Sequence, residues 1–170
     1  MDRPYVAPSM ADPALETFVL SEETPFDAPA AARVVERAFG PGRYAKTAER
    51  LREGSAPIAG YVLRVSGEVM GSVHLWPIEV GGVRAGFLGP IAVDAAWRGT
   101  GAGAVLSEAI IERARQLGLS GVLLVGDRPY FGRFGFEPAP DARLPGPVDQ
   151  KRVLWLSLDG AVASGDVRRA

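Results

Sequence analysis

The sequence predicts a mixed α/β protein, on three observations. Three strand-like runs, IAGYVLRV, VMGSVHLWPI and VRAGFLGPIAV, follow one another across the turn signals Ser66-Gly67 and Gly81-Gly82, and such short connections make an antiparallel meander. A glycine-rich turn, RGTGAG at Arg98 to Gly103, then opens a helix in which Ala102, Val105, Leu106, Ala109, Ile110, Ala114 and Leu117 keep one apolar stripe until Gly118 ends it. The run GVLLVGD directly after that helix reads as a buried strand.

The other elements follow in chain order. Ala31, Val34, Val35, Ala38 and Phe39 recur at helical spacing behind the candidate caps Thr24 and Asp27, and Gly40 stops the pattern. RYAKTAERLREG is a second, more polar helical candidate, and its charges Arg43, Lys46, Arg50 and Arg52 read as a solvated face ahead of an acidic-substrate site. The third strand-like run is apolar on both alternating faces, as in a covered central strand, yet Gly89-Pro90 interrupts it. That strand should bulge or part from a neighbour. PYFGRFGF reads as a short helix or turn and RVLWLSL as a last strand.

Bulk properties narrow the function. A chain of 170 residues fits one domain with a core that folds without staples, placed at 15–158. Residues 1–14, with three prolines and no periodicity, and the small, polar residues 159–170 read as flexible tails. Nineteen basic residues against twenty acidic leave a charge of −1, so no global field points to nucleic acid or a membrane, and any polyanion is bound locally. The absence of cysteine removes disulfides, thiolate metal sites and a cysteine nucleophile. No apolar run approaches the roughly 18 residues of a membrane span, and no basic segment followed by an apolar core opens the chain. The expected location is the cytoplasm.

RGTGAG is where an anion would bind. A helix N-terminus presents unpaired backbone N–H groups and the positive end of the helix dipole, and glycines let an anion approach them. Three phosphate-binding designs compete. A nucleotide-triphosphate loop needs Lys and then Ser or Thr after the last glycine, where Ala104 and Val105 stand. A dinucleotide fingerprint is formally met by Gly99, Gly101 and Ala104, with Asp127 ending the next strand, but three antiparallel strands precede it and no further strand-helix-strand unit follows.

The third design is a resemblance. Val93 to Gly103, VDAAWRGTGAG, resembles the Arg/Gln-x-x-Gly-x-Gly/Ala pyrophosphate loop of the GCN5-related N-acetyltransferases, with Arg98, Gly101 and Gly103 at the pattern positions. LGPIAV resembles that family's fourth strand, GVLLVGD its fifth, and PYFGRFGF the aromatic segment ending in Gly135-Phe136, in the form found in a bacterial subgroup with Tyr-Tyr or Tyr-Phe before RFGF. The resemblance implies a mixed sheet of about six to seven strands with the fourth and fifth splayed, and helices on both faces. It also implies an acetyl-CoA-dependent N-acyltransferase that needs no metal, acting on a small-molecule or peptide amine. Dimers are frequent among similar proteins, so a homodimer is an expected assembly.

Carried onto this chain, the resemblance assigns the backbone of Ile91, Ala92 and Val93 to the pantetheine arm and the thioester carbonyl. The N–H groups of Gly99, Thr100, Gly101, Ala102 and Gly103 go to the pyrophosphate, with Arg98 at the phosphates or fixing the loop. Pro90 suits a strand where ordinary pairing has stopped. An amine acceptor needs a proton taken from it and the leaving thiolate needs one supplied. For the base the residues leave Glu79, His74 and Asp127 open. For the acid, family members commonly carry a tyrosine five residues before the Phe of the closing Gly-Phe, where this chain has Phe131; Tyr130, one residue earlier, is the catalytic candidate. That departure keeps a second reading in view, a non-catalytic acyl-CoA-binding module of the same fold. A dinucleotide-binding protein is the third. Trp76, Phe87 and Trp97 are candidates for either an acceptor pocket or the core.

Overall fold

A computed structural model describes residues 3–6, 17–42 and 46–170. The chain forms two compact units, each assembled from interleaved segments: Met1–Pro41, Ala59–His74 and Pro90–Ile110 in one, Gly42–Ile58, Leu75–Gly89 and Ile111–Ala170 in the other. Three elements contribute residues to both, β4 (Glu68–Val80), β5 (Val83–Val93) and α3 (Ala102–Gln116).

In the first unit β2 (Thr17–Glu22) lies between β1 (Arg3–Val6) and β3 (Ala59–Val65), antiparallel to both, with Leu20 opposite Arg3 on one side and Leu63 on the other. Helix α1 (Ala28–Phe39) starts at Asp27, has a proline in its first turn, and ends at Gly40, whose φ of +67° favours glycine. Asp27 does not cap its own helix. Its Oδ2 accepts from the Thr24 N–H at 2.9 Å and the Thr24 hydroxyl at 3.0 Å, and Arg64 donates to Oδ1. The Thr24 N–H is the largest cause holding the Asp27 carboxyl below its ordinary pKa, with the Thr24 hydroxyl and Arg64 adding to it against the effect of burial. Val34 and Val35 of α1 pack with Ala92 of β5, while Phe39, expected in the stripe, is 46% exposed at the helix end. A side chain at Gly71 would meet Leu106 of α3 at 3.1 Å, so the glycine lets that helix sit close on β4. Met70 and Ser72 are buried as Val73 is, so β4 is covered on both faces along this stretch.

The second unit contains α2 (Thr47–Arg50), β6 (Gly121–Val125), α4 (Arg128–Phe131), β7 (Glu137–Pro138), β8 (Ala142–Arg143), β9 (Val153–Ser157) and β10 (Gly165–Arg169). β5 pairs in parallel with β6, β6 antiparallel with β9, and β9 antiparallel with β7. Leu51, Ile78, Phe87, Leu123, Trp155 and Val167 share its core.

Three expectations change here. The second helix shrinks to the single turn α2; Arg43 lies outside the described residues, and Gly54 at φ +67° ends the segment. Its charges are not all solvated, because the Arg52 guanidinium lies 5.3 Å from the centre of the Phe87 ring and pairs with Glu49 at 3.2 Å, each side chain 12% exposed. The two regions read as tails both carry strands. β1 pairs with β2, and β10 pairs antiparallel with β4 and parallel with β8, its Val167 buried opposite Val80. With the two-residue β7 and β8 these raise the described strands to ten, above the six to seven expected; segments so short or so polar carry no period to read. Among the described residues no helix is long and apolar enough to cross a membrane.

Candidate functional site

The interruption in β5 has a structural consequence. Its parallel ladder with β6 covers only Ala85, Gly86 and Phe87, opposite Gly121, Val122 and Leu123, although β5 continues to Val93 and β6 to Val125. Gly89 sits at φ +137° and its carbonyl accepts a hydrogen bond from Trp76 Nε1 at 2.7 Å. Pro90, which follows, has no N–H to offer a partner strand.

In the first unit β5 then runs into the glycine loop. Asp94 N donates to Met70 O at 2.9 Å, and a 3₁₀ turn over Ala95–Trp97 leads into RGTGAG. Gly99 and Gly101 take φ of +77° and +89°, conformations that L side chains rarely adopt. Val105 N donates to Gly101 O at 3.1 Å, so the N–H groups of Ala102, Gly103 and Ala104 precede the first helical bond. Gly99 and Gly101 are exposed beside them, and a Cβ on Gly99 would meet nothing within 4 Å. The loop thus offers a run of backbone donors at the positive end of a fifteen-residue helix, with open space beside Gly99. That is the chemistry a pyrophosphate requires.

The loop is braced from several sides. Arg98 Nε donates to Val93 O at 3.4 Å and the Thr100 hydroxyl to Trp97 O. Trp97 meets Phe18 edge to face with centroids 5.6 Å apart. Arg37 of α1 grips both oxygens of Asp94, Nε to Oδ1 and Nη2 to Oδ2 at 3.0 Å each, and this pairing raises the Arg37 pKa. Sequence reading missed Arg37, which lies 57 positions from its partner; a bidentate arginine is visible only once the fold brings the two together.

The aromatic segment belongs to the second unit. Tyr130 is 36% exposed, stands edge to face on Phe131 at 4.8 Å, and carries the Arg133 guanidinium 4.2 Å from its ring centre. Phe131 turns inward: a Cβ on Gly126 would meet its ring at 2.5 Å, and Phe136 lies at 5.9 Å. Gly135, at φ +97°, closes the turn and lets the 2% exposed Phe136 anchor it.

The three base candidates separate. Asp127 is a solvated carboxylate, 75% exposed and 3.4 Å from Arg152. Glu79 is exposed on β4 opposite Arg168 of β10. His74, by contrast, pairs through Nε2 with Glu23 Oε2, their side chains 17% and 12% exposed. The Glu23 backbone is held by its N–H to Gly60 O at 2.9 Å, and a Cβ on Gly60 would fall 2.8 Å from the Glu23 carboxylate and 2.9 Å from the imidazole. Glu23 also escaped sequence reading. Trp76 and Phe87 serve the structure, one bonded to Gly89 and the other buried under Arg52. Among the described residues no group of three or more His, Asp or Glu side chains is arranged to hold a metal ion.

Residues 27–136 match the model of the acetyltransferase (GNAT) family. The uncharacterized N-acetyltransferase YhbS of Escherichia coli (strain K12) is 33% identical over 120 residues, which cover 69% of this chain and 72% of YhbS. The crystal structure of E. coli YhbS in complex with CoA superposes with a TM-score of 0.77 at 29% identity, covering 95% of this chain and 94% of that one. A GNAT family acetyltransferase from Brucella melitensis in complex with acetyl-CoA gives 0.71 at 28% identity, over 90% and 96% of the two chains. This chain therefore belongs to the acetyltransferase (GNAT) family.

Proposed function

We propose that the protein, acting in the cytoplasm as one acetyltransferase domain that includes the strands β1 and β10 outside the expected bounds 15–158, moves an acetyl group from acetyl-CoA to the amine of a small molecule or peptide by direct transfer. The observation that carries this reading is the loop at Gly99 to Gly103: two left-handed glycines beside the first turn of α3, whose N–H groups precede the first helical bond. Bound there, acetyl-CoA supplies an activated acyl carbon and a thiolate leaving group.

The chain's own residues divide the work. Backbone N–H groups from Gly99 to Gly103 hold the pyrophosphate, while Arg98, bonded back to Val93, fixes the loop. The backbone of Ile91, Ala92 and Val93, beyond the end of the β5 to β6 ladder, pairs with the pantetheine arm as an added strand would and orients the thioester carbonyl. The His74 and Glu23 pair takes the proton from the attacking amine. Support comes from register: counting antiparallel from the Asp94 to Met70 bond, four residues along β4 reach His74 and four back along β5 reach Pro90, the residue before the pantetheine segment. The Tyr130 hydroxyl returns a proton to the sulfur as the carbon–sulfur bond breaks.

One observation favours a second reading, binding without turnover: Phe131 occupies the inward position of its segment and carries no hydroxyl. Calorimetric titration with acetyl-CoA, followed by thiol release over an amine panel, separates the two. Release on any amine supports the transferase, and tight binding with no release on any supports the module.

A further inference from the structure

Two basic segments more than a hundred residues apart meet in the second unit. A cavity of about 620 Å³ is lined by Lys46, Arg50, Arg168 and Arg169, with Glu53 as the one carboxylate in its wall. Its apolar floor includes Leu51 and Val167, both buried. Four cations thus share one concavity of a chain whose net charge is −1. Two are anchored by backbone: Arg50 Nη1 donates to Pro145 O at 2.7 Å, and Arg169 Nη1 to Glu53 O. Each anchor uses one of the five N–H groups of a guanidinium and fixes the plane of the rest. Asp166 offsets part of the charge, 3.4 Å from Arg168, and Glu79 stands opposite Arg168 in the ladder.

Like charges in a concave wall repel, and a face built only for solubility has no reason to gather them or to tie two of them down. We propose that this cavity is a binding site for a small anion bearing two or more carboxylate or phosphate groups. The fixed guanidinium planes meet the oxygens in bidentate fashion, and Lys46 and Arg168 add charge at the rim. The cavity shares no lining residue with RGTGAG, and the inference does not depend on the transferase reading.

The test is calorimetric titration of the full chain at low salt with citrate, which carries three carboxylates, and separately with inorganic phosphate as the single-group comparison, repeated on Lys46→Gln/Arg168→Gln. Both side chains are exposed, and a thermal melt checks that the variant folds; Arg168→Gln alone carries the same comparison if it does not. The expected result is one saturable site that weakens with salt, binds about tenfold more weakly in the double variant, and leaves CoA affinity unchanged. The absence of saturable citrate binding, phosphate binding as tight as citrate, or equal citrate affinity in the variant overturns the proposal. So does citrate binding that CoA abolishes and that Gly101→Glu removes, since the anion would then occupy the glycine loop.

Discussion

Replacing Gly101 by alanine probes the loop with a single methyl group and no charge. At φ +89° an L residue sets its Cβ against the carbonyl, a strain of about 1–2 kcal/mol. The chain can answer in two ways. If the loop keeps its shape, the strain appears as lost stability, about 2–8 °C in the thermal midpoint for a chain of this size. If the loop relaxes to a negative φ, stability is kept and the N–H cradle is lost, so CoA affinity falls by about 5–30-fold or more. Calorimetric titration with CoA and a thermal melt on the same sample measure both terms. Gly118→Ala is the control: φ is +72° with nothing within 4 Å of a Cβ, but the site follows the last turn of α3, so it should lose stability and keep CoA affinity. The reasoning is refuted if Gly101→Ala leaves both quantities unchanged, or if Gly118→Ala weakens CoA as much.

Other perturbations address the remaining roles. His74→Gln should lower kcat by about 10²-fold or more with CoA affinity unchanged, and Gly60→Ala, which drives a methyl between Glu23 and His74, should move kcat in the same direction; steady-state kinetics with direct CoA titration tells this from a structural loss. Phe131→Tyr should preserve or raise turnover if the segment still follows the family geometry, and Tyr130→Phe should lower it; a severe loss in Phe131→Tyr without unfolding would mean that position 131 has acquired another role. Asp27→Asn should cost about 1–3 kcal/mol near neutral pH, read by urea unfolding. Because the folded-state pKa of Asp27 lies below its ordinary value, its contribution is present above the unfolded carboxyl pKa and is lost as pH falls through the folded one. The difference between wild type and Asp27→Asn should therefore shrink only on acidification through the carboxylate range.

What could be read from the sequence was local. The stripe of α3, the meander of β3 to β5, the break at Gly89-Pro90 and the glycines of RGTGAG each declare themselves within a dozen residues, because period and positive-φ turns are properties of short segments. What escaped is long-range. Arg37 with Asp94 and Glu23 with His74 are joined across 57 and 51 positions, and nothing in either neighbourhood marks a partner. The small, polar residues ending the chain read as a tail, yet β4 offers β10 an edge to pair with and a core for Val167. The helix expected around Arg50 is one α turn that runs on as hydrogen-bonded turns from Arg52 and Glu53 to Glu49 O and ends at Gly54, whose φ of +67° breaks the pattern.

The most direct test is a paired measurement on the purified protein: calorimetric titration with acetyl-CoA and NAD(P) in parallel, then thiol release with an amine panel, on wild type and Gly101→Glu. The account predicts micromolar acetyl-CoA binding in the wild type, none in the variant although it still folds cooperatively with a midpoint lowered by no more than about 8 °C, no NAD(P) binding, and thiol release on at least one amine. Acetyl-CoA binding that survives Gly101→Glu, or no acetyl-CoA binding at all, would contradict it.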